Sequence, residues 1–222
     1  MFWRILDEGK LPVMLSGLSD NLEASAGPSS VAALSKDNDT LIWYFWFLII
    51  TFYTMAKSKK TILLMRHAKS SWDDSSLRDF DRPLNSRGKG DAPKMGSYLN
   101  EITMTPDLIV SSPAARAKAT ILEVIKELGL EESVITWNED LYYGSSKAYL
   151  DAIQSASEDV NVVMTVGHNP MTENAIAALS DKPFNEHVPT ATIACFEANV
   201  PSWSDVGVGS CRLKWLVSPK SL

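Results

Sequence analysis

The sequence predicts an α/β protein, a three-layer α/β/α sandwich with a mostly parallel sheet and an antiparallel strand near the C-terminus. Short apolar runs, each bounded by turn residues, indicate strands that are buried on both faces of a parallel sheet. These runs are residues 61–65, 107–110, 133–136 and 161–166. Residues 211–217 alternate strictly between apolar and polar, which predicts a half-exposed antiparallel strand paired with 190–197.

Helical patterns fill the intervals between these runs. Apolar residues recur at mixed three- and four-residue spacings over 88–102 and 114–129, and Gly129 predicts the end of the second helix. Two further helices are predicted over 145–156 and 170–180. This alternation of strands and helices is typical of a parallel sheet that is covered by helices on both faces.

The first part of the chain has a different character. Residues 1–54 are predicted to be a low-complexity extension, because small and polar residues dominate before the apolar segment 41–56. That segment is at the short end of the range for a membrane-spanning helix, and lysines follow it. It could be an anchor, a helix docked on the domain or part of a non-native extension, since Met55 reads like a natural start. The folded domain is expected to cover residues 57–222.

Charge and cysteine content exclude several classes of protein. The formal net charge of −6 argues against a general nucleic-acid-binding protein, which needs a basic surface. Residues 57–94 nevertheless hold ten Lys/Arg against five Asp, which suits a small anionic substrate or a solvated basic face. Cys195 and Cys211 are too few for a disulfide framework and are expected to be reduced. We therefore expect a cytoplasmic protein, with membrane attachment through 41–56 as the alternative.

Polar side chains follow three of the predicted parallel strands. The first strand ends in Arg66 and His67, the second runs into "SSPAAR" (111–116), and the fourth ends in "GHNP" (167–170). Ligands of open α/β sheets bind beyond the carboxyl ends of the strands. We therefore expect two histidines and two arginines to converge at one edge of the sheet.

The predicted helix starts add a second argument for an anion. Ser112–Pro113 and Asn169–Pro170 each suggest an N-cap residue followed by proline at the first helical position. Free N–H groups and partial positive charge at a helix N-terminus favour anions. Arg116 would lie in a first turn, where a cation is disfavoured by roughly 0.3–1 kcal/mol. A bound phosphate would reverse that penalty.

Five motifs together resemble those of the histidine phosphatase (phosphoglycerate mutase-like) superfamily, in particular its short SixA-type branch, the phosphohistidine phosphatases. They are "LLMRHAKSSW", "DRPLNSRG", "PDLIVSSPAARAKAT", "LYYGS" and "VGHNPMTE". The resemblance covers about residues 61–218. Many superfamily members have glycine after the Arg-His pair, where this chain has Ala68. The resemblance implies a phosphatase that needs neither a metal nor another cofactor.

The resemblance also implies roles for the strand-end residues. His67 would be the nucleophile that attacks phosphorus and forms a covalent phosphohistidine. Arg66, Arg116 and His168 would hold the equatorial phosphoryl oxygens in place of a metal. An imidazole with an ordinary pKa of about 6.5 is largely neutral at physiological pH, as a nucleophile requires.

Other polar residues complete the expected site. In larger family members an acid follows the third strand, and Glu139 or Asp140 occupies a similar place here. Arg82 and Arg87 could bind substrate at the rim or belong to a turn with solvated arginines. His187 is expected to be structural. An acidic stretch is expected to be a solvated loop rather than a divalent-ion site; it consists of Asp73, Asp74, Asp79 and Asp81.

The predicted function is hydrolysis of a phosphate ester or of phosphohistidine in a protein. A small-metabolite phosphatase is the alternative, or phosphoglycerate mutase-type phosphotransfer, which the lack of a long insert disfavours. A non-catalytic phosphate-binding module is a third hypothesis, but simple binding does not need the nucleophile His67. The expected partner is a phosphorylated small molecule or a phosphohistidine protein, not nucleic acid, with membrane contact only through 41–56.

Overall fold

The computed structural model describes residues 45–46 and 59–222. Phe45 and Trp46 are helical, and the remainder of the predicted extension 1–54 and of the apolar segment 41–56 lies outside the described residues. No helix within the described part of the chain is long and apolar enough to cross a membrane. Residues 58–222 form one compact unit.

Within residues 59–222, six strands form one mixed sheet in the order β3–β2–β4–β1–β5–β6. The strands are β1 Lys60–Arg66, β2 Leu108–Ser111, β3 Ile135–Trp137, β4 Val162–Gly167, β5 Ile193–Ala198 and β6 Cys211–Val217. β1, β2, β3 and β4 pair in parallel, whereas β5 is antiparallel to both β1 and β6. The mostly parallel sheet and the antiparallel pairing of the last two strands are both confirmed.

Helices connect the strands and cover the sheet. They are α1 Ser86–Glu101, α2 Ala115–Leu128, α3 Asp140–Tyr143, α4 Ser146–Gln154 and α5 Met171–Leu179. Three-residue 3₁₀ turns cover Asp79–Asp81, Glu132–Val134 and Trp203–Asp205. The second turn delays the start of β3 by two residues relative to the prediction. α2 ends as predicted at Gly129, whose φ of 66° is left-handed and favours a residue without a Cβ.

The two helices predicted to begin at Pro113 and Pro170 begin one or two residues later in the structure. Ala114 has extended backbone angles, φ −55° and ψ 138°, so α2 cannot begin before Ala115. Ser112 still supports this end, because its Oγ accepts from the N–H of Ala114 at 3.3 Å. α5 begins one residue late, with Pro170 as its N-cap. Arg116 remains in the first turn of α2, so the electrostatic argument for an anion is unchanged.

The central strand β1 shows why the protein has three layers. Ile62 and Leu64 pack into a core with α4 and α5, whereas Leu63 and Met65 pack into a second core with α1 and α2. All four side chains are fully buried. Burial of such a side chain contributes about 1.5–3 kcal/mol. Since neighbouring residues face opposite sides of a strand, both faces of the sheet are covered, as predicted.

Candidate active site

Three parallel strands end together at one edge of the sheet. Arg66 of β1 lies in register with Gly167 of β4. One residue further on, the N–H of His67 donates to the carbonyl of Gly167 at 2.9 Å. Beyond β2, the N–H of Ser112 donates to the carbonyl of Val166 at 3.0 Å. The residues that follow β1, β2 and β4 therefore lie side by side, where the sequence predicts a phosphate site.

His67 is buried and has an unprotonated Nε2 atom. Its Nδ1 lies 2.7 Å from the carbonyl oxygen of Ala68, and its Nε2 lies 3.2 Å from Nε of Arg116. An arginine Nε always carries hydrogen, so it is the donor and Nε2 of His67 is the acceptor. The ring hydrogen is therefore on Nδ1. Burial, reinforced by the positive charges of Arg116 and Arg66, lowers the pKa of His67 to about 3. The imidazole is neutral at physiological pH.

Ala68 stands where related motifs often have glycine. Its side chain is fully buried in the core with α1 and α2. Its N–H donates to Oγ1 of Thr120 at 2.9 Å, and the Thr120 hydroxyl donates to the carbonyl of Arg116 at 2.6 Å. These bonds tie the loop after β1 to the helix that carries Arg116.

Asp79 holds the buried guanidinium of Arg116. Nη1 of Arg116 donates to the backbone carbonyl of Asp79 at 2.5 Å, and Nη2 donates to Oδ2 at 2.8 Å. With Nε on His67, all three nitrogens of Arg116 have an acceptor. The Asp79 carboxylate also accepts from Nη1 of Arg82 and from the hydroxyl of Tyr142, each at 2.8 Å.

Asp79 and Tyr142 are site residues that the sequence analysis missed. Partial burial opposes ionisation of Asp79, but hydrogen bonds from Tyr142, Arg116 and Arg82 lower its pKa to about 2. The Asp79 side chain is 52% exposed, but it also pairs with Arg82 and Arg116, which the solvated-loop prediction did not include. The aspartates before it bond locally to serine hydroxyls. Two features of the sequence could have indicated these residues. Asp79 and Arg82 are three residues apart, the spacing of one 3₁₀ turn, and the motif "LYYGS" carries Tyr142.

His168 follows β4 and is held through both its backbone and its ring. Its N–H donates to the hydroxyl of Tyr149 at 2.9 Å, and its Nε2 lies 2.9 Å from Oγ of Ser112. Residue 167 is glycine because a Cβ there would overlap the Tyr149 hydroxyl. The rings of His168 and His67 have centroids 4.8 Å apart. Burial, with nearby His67, lowers the pKa of His168 to about 2, so this ring is also neutral at physiological pH.

Two buried donors at this edge have no hydrogen-bond partner within residues 59–222. Ser112 Oγ accepts from Ala114, so its hydroxyl hydrogen is available to Nε2 of His168. The ring hydrogen of His168 would then be on Nδ1, which is buried and unbonded among the described residues. Arg66 also has a buried donor without a partner. Its Nη1 donates to the carbonyl of Val188 at 2.7 Å, but its Nε has no hydrogen bond among the described residues. Such atoms are unfavourable unless an acceptor reaches them.

The loop before β5 supports Arg66 from the other side. Glu173 of α5 accepts from the N–H of Val188 at 2.7 Å, and its carboxylate lies 2.9 Å from Nδ1 of His187. The carbonyl of Val188 is the acceptor for Arg66. His187 thus has a partner in the scaffold that orients Arg66, which fits the structural role expected for it.

Arg82 and Arg87 differ in their surroundings. Arg82 is buried, and its nitrogens donate to Asp79, to Oγ of Ser70 at 2.8 Å and to the carbonyl of Ser71 at 2.9 Å. All three nitrogens are occupied, so Arg82 positions Asp79 rather than presenting a free donor. Arg87 is exposed, pairs with an aspartate on its own helix at 3.1 Å and lies 3.4 Å from Thr190.

The predicted general acid does not join this cluster. Glu139 and Asp140 are exposed where α3 begins. The backbone N–H of Asp140 donates to Oδ1 of Asn138 at 2.8 Å, but within residues 59–222 its carboxylate has no hydrogen bond or ion pair. α3 instead places Tyr142 against the site, with its ring edge-to-face on His168 at 5.1 Å. Asp79 is the carboxylate that contacts the cluster.

The charges at this edge suit an anion. Arg66 and Arg116 are positive, both histidines are neutral, and Asp79 partly offsets the arginines. Within the described part of the chain, no group of three or more His, Cys, Asp or Glu side chains could hold a metal ion. A phosphoryl group would find cationic and neutral donors next to an unprotonated imidazole nitrogen.

Comparisons with known proteins identify the family. The model of the histidine phosphatase superfamily (branch 1) matches residues 62–141. An uncharacterized chloroplastic protein of Arabidopsis thaliana is 33% identical over 174 residues, 73% of this chain and 79% of the relative. The chain belongs to the histidine phosphatase superfamily, and it is a phosphatase.

Within this class, the chain is similar to SixA proteins. The phosphohistidine phosphatase SixA of Escherichia coli (strain K12) is 26% identical over 164 residues, 72% of this chain and 95% of SixA. The putative phosphohistidine phosphatase SixA from Agrobacterium tumefaciens has a TM-score of 0.61 and 29% identity, over 72% of this chain and 98% of that one. The protein histidine phosphatase SixA complexed with tungstate has the same TM-score and coverage at 26% identity. The predicted resemblance and fold are confirmed.

Proposed function

We propose that the chain hydrolyses phosphohistidine carried by a protein, through a covalent phosphohistidine on His67 and without a metal. The observation that carries this proposal is the unprotonated Nε2 of His67, which accepts from Arg116 at the strand ends. In the first step the Nε2 lone pair forms an N–P bond while the bond to the leaving group breaks and its electrons go to that group.

Water completes the cycle. It attacks the phosphorus of phosphorylated His67, the electrons of the N–P bond return to Nε2, and phosphate leaves. One proton of the water stays on the phosphate, and the other passes to solvent. His67 ends in the neutral form in which it began.

Three side chains would stabilise the transferred group. Arg66 Nε and His168 Nδ1 are buried donors without partners among the described residues, so a phosphoryl oxygen would satisfy them. Arg116 would exchange Asp79 and His67 for phosphoryl oxygens, which also frees the nucleophilic lone pair. Donors that are already oriented lower the barrier because they need no reorganisation as charge develops.

The protonation states favour a P–N bond over a phosphate ester. An alkoxide leaving group needs a proton from an acid. Asp79 is ionised, and the carboxylate of Asp140 has no bond to the cluster among the described residues. A phosphohistidine that carries a proton on its second ring nitrogen leaves as neutral imidazole and needs no protein acid. The SixA relatives, named phosphohistidine phosphatases, support this choice.

We propose residues 57–222 as the catalytic domain. The matches to SixA proteins cover 72% of this chain and nearly all of the relatives, which leaves room for an extension such as 1–54 outside the catalytic unit. The proposed partner of this domain is a protein that carries phosphohistidine.

Rapid quenching tests the proposal. The protein is mixed with a radiolabelled phosphohistidine peptide in excess chelator and stopped within milliseconds. The expected result is a transient, acid-labile label on the peptide that contains His67, with turnover unaffected by the chelator. Label on His168, turnover without any labelled enzyme, or faster hydrolysis of alkyl phosphates than of phosphohistidine would contradict the proposal.

A further inference from the structure

Exposed aromatic side chains are confined to one edge of the domain. Within residues 59–222, the aromatic side chains that are more than a third exposed are Trp72 at 73%, Tyr143 at 71% and Trp137 at 39%. Trp137 is the last residue of β3 and lies in register with Ser111 at the end of β2. Tyr143 ends the following helix α3. Trp72 lies in the loop after β1, so all three belong to the edge that carries the phosphate site.

Trp72 contacts the site through Arg82. The Cζ atom of Arg82 lies 3.2 Å from the ring centroid of Trp72, a cation–π contact. The same guanidinium donates to Asp79, which holds Arg116. The indole therefore packs on the guanidinium that positions Asp79 while most of its own surface stays in water.

Tyr143 and Trp137 reach the site on other segments. Tyr143 stacks on Phe80, the neighbour of Asp79 in the 3₁₀ turn, with ring centroids 6.2 Å apart and planes 7° from parallel. The ring of Trp137 lies 5.4 Å from Nζ of Lys118, two residues after Arg116 on α2. Trp72 and Tyr143 thus pack on Arg82 and on the neighbour of Asp79, whereas Trp137 is placed at this edge by its register with Ser111.

We propose that Trp72, Trp137 and Tyr143, the aromatic collar, bind the polypeptide that carries the phosphorylated histidine, through apolar side chains next to that histidine. The inference rests on the proposed function. Tryptophan and tyrosine are enriched among the residues that carry most of the binding energy at protein interfaces. A small metabolite ends close to its phosphate, whereas a polypeptide continues on both sides and reaches rings on three separate segments.

The substrates for the test differ only beyond the phosphoryl group. One is a histidine peptide with leucine on each side of the histidine, another has glycine there, and both are phosphorylated with phosphoramidate. Phosphoramidate itself is the third substrate and has no polypeptide. The variants are Trp72→Ala and Tyr143→Ala, which change different segments. Val208→Ala is the matched control, since Val208 is an apolar residue that is 81% exposed in the loop before β6.

The collar predicts a selective loss. In each variant, kcat/KM for the leucine peptide should fall about tenfold, as for removal of one interface hot spot. The kcat/KM for phosphoramidate should change less than about twofold. Val208→Ala should leave kcat/KM unchanged for both the leucine peptide and phosphoramidate. The unaltered protein should prefer the leucine peptide to the glycine peptide.

Each other outcome overturns the inference in a recognisable way. Equal losses for the peptide and for phosphoramidate would show that the rings only support the phosphate site. Equal rates for the two peptides with the unaltered protein would exclude recognition of apolar neighbours. If the unaltered protein hydrolyses none of the three substrates, the proposed function fails and the collar inference fails with it.

Discussion

Nε of Arg116 donates to Nε2 of His67 across 3.2 Å, so one hydrogen bond fixes both the tautomer of the imidazole and the position of the guanidinium. The other two nitrogens of Arg116 bind Asp79. Arg116 therefore already lies between the proposed nucleophile and an anionic group. Substrate phosphate would take the place of these acceptors. Variants of His67, Arg116 and Asp79 should therefore change anion binding and turnover in different ways.

His67 and Arg116 should differ in what their loss removes. His67→Ala should abolish phosphoenzyme formation and nearly all turnover, yet still bind tungstate. Arg116→Ala should weaken tungstate binding and raise the activation free energy that corresponds to kcat/KM by about 2–4 kcal/mol, because the proposed role of the guanidinium is to contact phosphate in both ground and transition states. Calorimetric titration with tungstate and rapid quenching measure the two effects. A labelled His67→Ala protein would contradict the assignment of the nucleophile.

Asp79 should compete with bound anions. Asp79→Asn removes the negative charge that pairs with Arg116 and Arg82, so tungstate affinity should rise about fivefold, equivalent to about 1 kcal/mol. Asp140→Asn is the matched control and should leave the affinity unchanged, since that carboxylate has no partner among the described residues. Calorimetry compares the two variants at low ionic strength. Unchanged affinity in Asp79→Asn would show that the carboxylate does not compete with phosphate.

The fold and part of the site could be predicted because their signals are local. Buried strands, turn residues and the polar groups after each strand are continuous in sequence, and parallel strands bring their ends to one edge. This reasoning placed Arg66, His67 and His168 together. The same pattern gave the antiparallel pairing of the final strands, since the alternation over 211–217 marks a half-exposed strand.

The contacts of Asp79 could not be predicted in this way. Its carboxylate meets Arg116 from 37 residues away and Tyr142 from 63 residues away, so both contacts arise from tertiary packing. An acidic residue in a polar loop looks solvated until a buried arginine is known to reach it. The acid predicted at Glu139 or Asp140 lies outside the cluster for the converse reason. Its position after β3 matched, but α3 turns Tyr142 towards the site.

Ser112 should set the tautomer of His168. Ser112→Ala removes the hydroxyl near Nε2, so the ring should become a mixture of tautomers, and kcat should fall about tenfold. Nitrogen NMR of the labelled histidine reports the tautomer directly. Ser112→Thr should restore both the single tautomer and the kcat. Ser111→Ala is the control, because Ser111 is equally buried but donates to the Ser112 carbonyl. A loss of kcat with an unchanged tautomer would contradict this role.

The extension should not contribute to the folded domain. A chain that begins at Met55 is expected to keep its melting temperature within about 2 °C and its kcat/KM, because residues 58–222 form one compact unit. Differential scanning calorimetry and a phosphatase assay compare it with the full chain. A clear fall in melting temperature would support the docked-helix alternative, and partition of the full chain into vesicles would support the anchor.

Stability should fall in mild acid because of the two site histidines. In the folded protein burial lowers the pKa of His67 to about 3 and that of His168 to about 2, whereas an unfolded histidine has a pKa of about 6.5. Below about pH 6.5 the unfolded state therefore binds more protons than the folded state. The free energy of unfolding should decrease as the pH falls through this window, by up to about 1.4 kcal/mol per pH unit for each histidine.

Urea unfolding at pH 7 and pH 5 measures this dependence. The midpoint should be clearly lower at pH 5, and His67→Gln should reduce the difference, because glutamine takes up no proton in either state. If His67→Gln keeps the full difference between the two pH values, burial of a neutral His67 is not what makes the fold sensitive to acid.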